Sequence, residues 1–127
     1  MDSTDKSRRE WNRLIKSFSY ACNGFKNAFV QERNLQIHSL ISLIVIAAGF
    51  FFGISKSEWL VILLLIGGMI TAELLNTAIE RVVDLVTKDY HPLAKQAKDI
   101  AAAAVFVYAF TAIIIGLVIF LPYLNII

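Results

Sequence analysis

Residues 59–80 read WLVILLLIGGMITAELLNTAIE, and this stretch decides the fold. From Trp59 to Ile79 it is close to the ~20 apolar residues that a helix needs to cross a ~30 Å hydrocarbon layer. Two further runs of that length flank it, Leu35–Gly53 and Ile100–Leu121, so the sequence predicts three transmembrane helices over 35–53, 59–79 and 100–121. Composition agrees: 57% of the 127 residues are hydrophobic and 17% charged, and mean hydropathy is +0.65. A soluble domain usually holds about 45–50% apolar residues, and two Pro and six Gly leave no room for a collagen-like or linker-rich design. The expected class is an all-α integral membrane protein forming a single domain, residues 1–127.

One residue in the deciding stretch is out of place. Glu73 stands 14 residues, or roughly 21 Å of helix, beyond Trp59, still at hydrocarbon depth. A carboxylate there costs at least ~2–3 kcal/mol on insertion scales, so an intramembrane acid is first read as functional. Glu73, Asn76, Thr77, Glu80 and Asp84 follow at i, i+3, i+4, i+7 and i+11, within about 100° of one helical face. Like charges stacked at these intervals need a cation, a basic partner or a proton, and the deepest of them is suited to accept a proton. The bland reading, polar bonds between neighbouring helices, covers Asn76 alone better than it covers the ordered stripe.

Upstream of the first crossing lie seven of the twelve Lys and Arg. Residues 2–10 are polar and expected to be mobile, whereas Trp11, Leu14, Ile15, Phe18, Phe25 and Phe29 share one arc of an amphipathic helix over residues 8–32. Such a helix is expected to lie flat at the lipid surface. No long apolar run precedes Leu35, so a cleavable secretory signal is not expected. One Lys stands in the first join (Lys56), four Lys and Arg in the second (Arg81, Lys88, Lys95, Lys98), and none follows the third run. The positive-inside rule then places the amino terminus and second join in the cytoplasm of a multi-pass protein of the cell membrane, with the tail PYLNII outside. Both charged portions thus face cytosolic solutes.

Glu32, where QERN precedes the first crossing, is either a plain interface residue or, if that helix returns near Glu80, half of a site for a hard divalent ion. Mg²⁺ typically takes one or two carboxylates with phosphate oxygens and water, so the implied use is phosphate chemistry. HPLAKQAKD (91–99) supplies counter-charge: Pro92 opens a helix and Lys98 is placed to neutralise phosphate, while Lys95 serves the orientation rule equally well. Zinc-spaced Cys/His, a Walker A loop and GxGxxG are all missing from the sequence; His38 and His91 stand alone, and Cys22 has no disulfide partner. A formal net charge of +2 does not imply nucleic acid as a partner. The small residues of crossing three, Ala101–Ala104, Ala109, Ala112 and Gly116, suit close helix contact. Three crossings are too few to shield Glu73 from lipid on every side, so a homo-oligomer with the acidic stripe at subunit contacts is expected.

ELLNTAIE (73–80), then Val83-Asp84 and HPLAKQAKD (91–99), resembles the signature of the small prokaryotic diacylglycerol kinase family, over residues ~10–122. Within it HPLAKQAKDIAAAAV is similar to the Gram-positive branch, which implies undecaprenol kinase more than diacylglycerol kinase activity. The resemblance implies a homotrimer with shared sites, ATP as phosphoryl donor, a membrane-lipid alcohol as acceptor and Mg²⁺ as cofactor. By position it implies Glu73 as general base, Asn76 orienting Glu73 and the phosphates, and Glu32 with Glu80 holding Mg²⁺. It likewise implies Lys98 and Asp99 as nucleotide contacts, joined by Arg13, Tyr20, Asp89, Tyr90 and His91, with Asp84 in support. Two positions depart from the pattern: Ala103 replaces a glycine common in Gram-positive relatives, and Gln96 stands where the diacylglycerol-specific branch tends to carry arginine. The expected reaction yields undecaprenyl phosphate at the cytoplasmic face, with phosphatidic acid from diacylglycerol as the alternative. Of another class are a small oligomeric proton or ion pathway, for which the outer halves of the crossings offer little beyond Thr111, and a structural or lytic oligomer, which leaves the stripe unexplained.

Overall fold

The computed structural model describes residues 2–125 as four long helices and a terminal 3-10 turn. They are α1 (Ser3–Gln31), α2 (Arg33–Phe52), α3 (Lys56–Val86), α4 (Pro92–Phe120) and the turn Leu121–Leu124. Three of these are long and apolar enough to cross a membrane: Arg33–Phe52, Lys56–Val86 and Pro92–Leu124. The last two residues of the PYLNII tail lie outside the described residues.

The polar start is helical: α1 begins at Ser3 and its first turn closes through the Asp5 and Lys6 amides on the Asp2 carbonyl. Good helix formers through Lys6, Arg8, Arg9 and Glu10 carry it forward. The break between α1 and α2 is one residue long. Glu32 has extended dihedrals (φ −104°, ψ 109°), yet its amide donates to the Ala28 carbonyl and its carbonyl accepts from the Gln36 amide. The Gln36 side chain closes the elbow from the other side, donating to the Phe29 carbonyl at 2.8 Å.

Gly53 ends α2 in the left-handed region (φ 63°), which glycine enters without steric cost. Ser55 and Glu58 then form a reciprocal capping box that starts α3. From there α3 runs 31 residues, past the apolar stretch and through the whole acidic stripe, so Glu80 and Asp84 share a rigid element with Glu73. Pro92 sits in the first turn of α4, and the His91 side chain accepts from the Leu93 amide to cap it.

The apolar end of the bundle is the better packed. Ile54, Ile62 and Ile119 form its buried centre, with Phe52, Trp59, Phe120 and Tyr123 around them. A methyl group at Gly49 would lie 2.7 Å from the Trp59 ring, so only glycine lets α2 close on that indole. Nearby, Tyr123 donates to the Glu58 carboxylate at 2.6 Å, and the Tyr108 hydroxyl donates to the Leu64 carbonyl beside Gly68.

Candidate active site

Helix α3 brings Glu73, Asn76, Glu80 and Asp84 together, as one-turn spacing requires. Glu73 is 3% exposed and Thr77 5%, the two buried polar side chains among the described residues. The chain therefore shields Glu73 by itself, and the expectation that a lone subunit leaves it open to lipid is corrected: α2 packs on that face. The shield carries chemistry. His38, which seemed isolated in the sequence, places Nε2 3.2 Å from Glu73 Oε1, at an angle that leaves this oxygen without a hydrogen bond. Its signal was available, since His38 lies six residues beyond Glu32, under two turns into a helix antiparallel to α3.

Asn76 directs its amide to Glu80 Oε1 at 3.3 Å, while its own Oδ1 is buried and unpartnered. Thus two buried oxygens, Glu73 Oε1 and Asn76 Oδ1, lie unsatisfied near the centre of the bundle. Buried polar atoms are nearly always paired, so such pairs of orphans mark places kept ready for something else. Both Glu80 and Glu32 are near enough for their charges to act on Glu73.

At the far end of the stripe Lys98 donates to Asp84 Oδ1 at 2.6 Å, joining α4 to α3. Lys95 instead bonds Asp99 on its own helix. That turns Lys98 inward and leaves Lys95–Asp99 on an exposed edge. Arg81, not singled out by the sequence pattern, is the other connector. Its guanidinium donates to Asn27 Oδ1 and Gln31 Oε1 and lies 3.6 Å from Glu32 Oε1, so it clamps the end of α1 to α3 next to Glu80. An arginine directly after Glu80, with amides at i and i+4 of an amphipathic helix (Asn27 and Gln31), was the clue.

The remaining candidates stand apart. Arg13 and Tyr20 are exposed on α1, and Asp89 and Tyr90 are exposed in the join. His91 is occupied through Nδ1 as the α4 cap. Among the described residues no hydrogen bond or ion pair ties any of these five to Glu73, Asn76 or Glu80.

No cluster of three or more His, Cys, Asp or Glu suited to a metal occurs among the described residues. Mg²⁺ does not need one, because substrate phosphates and water complete its six oxygen ligands. Glu80, half-buried and held among the described residues by the Asn76 amide, and Glu32, in a loose contact with Arg81, are hard oxygen donors that fit it.

A buried carboxylate, hard oxygen donors and a nearby lysine, on helices fit to cross a membrane, are groups of the kind that phosphoryl transfer uses. The comparisons carry this to the family. The chain belongs to the prokaryotic diacylglycerol kinase family, whose sequence profile matches residues 19–120. It is 53% identical to the undecaprenol kinase of Bacillus subtilis over 96% of this chain and 98% of that protein. It is 43% identical to a diacylglycerol kinase of Synechocystis over 86% of this chain and 63% of that protein, and 35% identical to that of Haemophilus influenzae over 74% and 80%. The chain is thus a lipid kinase with a nucleotide as phosphoryl donor.

Proposed function

We propose that the chain transfers the γ-phosphoryl group of ATP to undecaprenol, giving undecaprenyl phosphate and ADP at the cytoplasmic membrane face. The observation that carries this is the buried, unsatisfied Glu73 at the head of a stripe that ends in Lys98 and Asp84. The similarity to the Bacillus subtilis undecaprenol kinase supports that acceptor.

Glu73 is the base: it takes the proton of the lipid hydroxyl as that oxygen bonds the γ-phosphorus, and the bond from the γ-phosphorus to the β–γ bridging oxygen breaks to release ADP. Burial removes competing water, and His38 Nε2 lies beside Glu73 Oε1 at 3.2 Å. Asn76 fixes Glu80 through its amide and offers its free Oδ1 to the site. Glu80 and Glu32 would hold Mg²⁺, which supplies charge neutralisation on the phosphates. Lys98, one hydrogen bond from Asp84, turns to the phosphates when nucleotide arrives, with Asp99, Arg13, Tyr20, Asp89, Tyr90 and His91 as outer nucleotide contacts.

A soluble donor and a lipid-bound acceptor meet only near the headgroup level. The excess of Lys and Arg before the first crossing and in the second join puts that level in the cytoplasm. Helix α1 lies on the surface there: Trp11 and Phe18 are 65% and 74% exposed, an apolar edge that lipid would cover. The working unit is a homotrimer, as the family resemblance implies.

The test is purified protein in mixed micelles with labelled ATP, Mg²⁺ and either undecaprenol or diacylglycerol. Label in undecaprenol is expected; label in diacylglycerol alone moves the acceptor to the alternative, and label in neither, from folded protein, overturns the reading.

A further inference from the structure

Helix α1 is roughly 43 Å long, and of its 29 residues Ala28 alone is buried. Gln36 ties that end of the helix to α2, through the Phe29 carbonyl. A rod held at one point still swings; a second point of attachment fixes its bearing. Arg81 supplies it. Its Nη1 donates to Asn27 Oδ1 at 2.5 Å and its Nη2 to Gln31 Oε1 at 3.1 Å, and these are the side-chain hydrogen bonds between α1 and α3 among the described residues. Asn27 and Gln31 stand one turn apart on one face, a spacing that the planar fork of an arginine spans and the point charge of a lysine does not.

What the fork leaves unbonded matters as much. Arg81 Nη2 lies 3.6 Å from Glu32 Oε1, too far for a hydrogen bond. Both groups that hold the guanidinium are neutral amides, so Glu32 is kept beside Arg81 while its oxygen lone pairs stay open. A bidentate arginine on that carboxylate would have filled them. Arg81 also follows Glu80 directly in the chain, so the residue that anchors α1 is one step from the other candidate metal ligand.

We propose that Arg81 is a positioning residue for the metal: tethered by Asn27 and Gln31, it holds the last turn of α1, and Glu32 directly after it, against the Glu80 turn of α3 before a divalent ion binds. This rests on the reading of Glu32 and Glu80 as the pair that holds Mg²⁺. Preorganisation of this kind shows in the metal concentration required and not in the chemical step, because an ion at saturating concentration gathers a loosened ligand for itself. A cation beside a cation site also repels the metal. The two effects of Arg81 therefore have opposite signs, and substitution separates them.

The experiment uses the full chain in lipid nanodiscs with a nitroxide on Cys22, the one cysteine of the sequence, exposed on α1. Arg81→Ala, and separately Asn27→Ala with Gln31→Ala, should each raise the Mg²⁺ concentration for half-maximal phosphoryl transfer about tenfold, the low end for loss of a partner behind a metal ligand. The triple variant should match either one, since all three changes cut the same link. Expected alongside are a kcat recovered at saturating Mg²⁺, an unchanged KM for the lipid alcohol, and a sharper nitroxide spectrum in the absence of Mg²⁺ and nucleotide, as the helix gains motion. A lower Mg²⁺ requirement in Arg81→Ala overturns the proposal, the arginine then acting on the metal by repulsion alone. A raised requirement that the amide pair does not share overturns it too, the charge then working without its tether, as does a kcat that saturating Mg²⁺ leaves depressed. Should the nitroxide loosen in both variants while Glu32→Ala leaves the Mg²⁺ requirement untouched, the metal reading of Glu32 falls and takes the positioning role with it. An unmoved nitroxide, with the requirement raised in Glu32→Ala, spares that reading and overturns the clamp alone.

Discussion

The two ends of α3 are built on opposite terms. At the Trp59 end the capping groups are paired and the packing is close: Ser55 and Glu58 cap each other, Tyr123 bonds Glu58, and glycine at 49 lets an indole close the packing. At the Glu73 end two buried oxygens have no hydrogen bond, and Glu80 and Lys98 are each held by one contact. One helix thus packs its apolar half closely and leaves two buried oxygens unpaired in the other, where the proposed site lies. The difference teaches where function lies more plainly than any one residue does.

The comparison can be broken by substitution. Glu73→Gln removes the base while keeping shape, and phosphoryl transfer should fall by roughly 10²–10⁴-fold with nucleotide binding retained; near-normal turnover would move the proton to another group. Next come Glu80→Ala and Glu32→Ala, each of which should raise the Mg²⁺ concentration for half-maximal rate, with Glu80 the larger because Glu32 already shares Arg81. At the packed end, Gly49→Ala pushes a methyl group into the Trp59 ring and should cost about 1–3 kcal/mol in thermal unfolding, leaving KM for ATP unchanged. The smallest effect belongs to Lys95→Ala, since its exposed i, i+4 pair with Asp99 contributes next to nothing measurable to stability. An equal loss of stability from Glu73→Gln and Gly49→Ala would erase the distinction between the ends.

The sequence carried the framework well because hydropathy reports directly on membrane crossing: three long apolar runs and Pro92 at a helix start stand in the structure where spacing put them, and Glu73 is buried on the second of those helices. It carried same-helix relations for the same reason, as with Asn76 and Glu80 four residues apart. Contacts between helices were harder. A linear pattern only hints at the register of α2 against α3, so the placing of His38 beside Glu73 and of Arg81 on Asn27 and Gln31 was settled by packing. The shielding of Glu73 was misjudged for the same cause, because counting crossings says nothing about which face α2 covers.

The elbow at Glu32 has a mechanical side. Two dihedral angles set the bearing of a 29-residue rod against the bundle, and because the amide and carbonyl of that residue are both bonded, the corner leaves neither of its main-chain groups bare. A joint with no slack cannot absorb an inserted residue; one extra amino acid would rotate the rod by roughly 100° and carry Asn27 and Gln31 away from their anchor. Charge and steering can therefore be separated at a single position, by Glu32→Gln for the first and a one-residue insertion for the second.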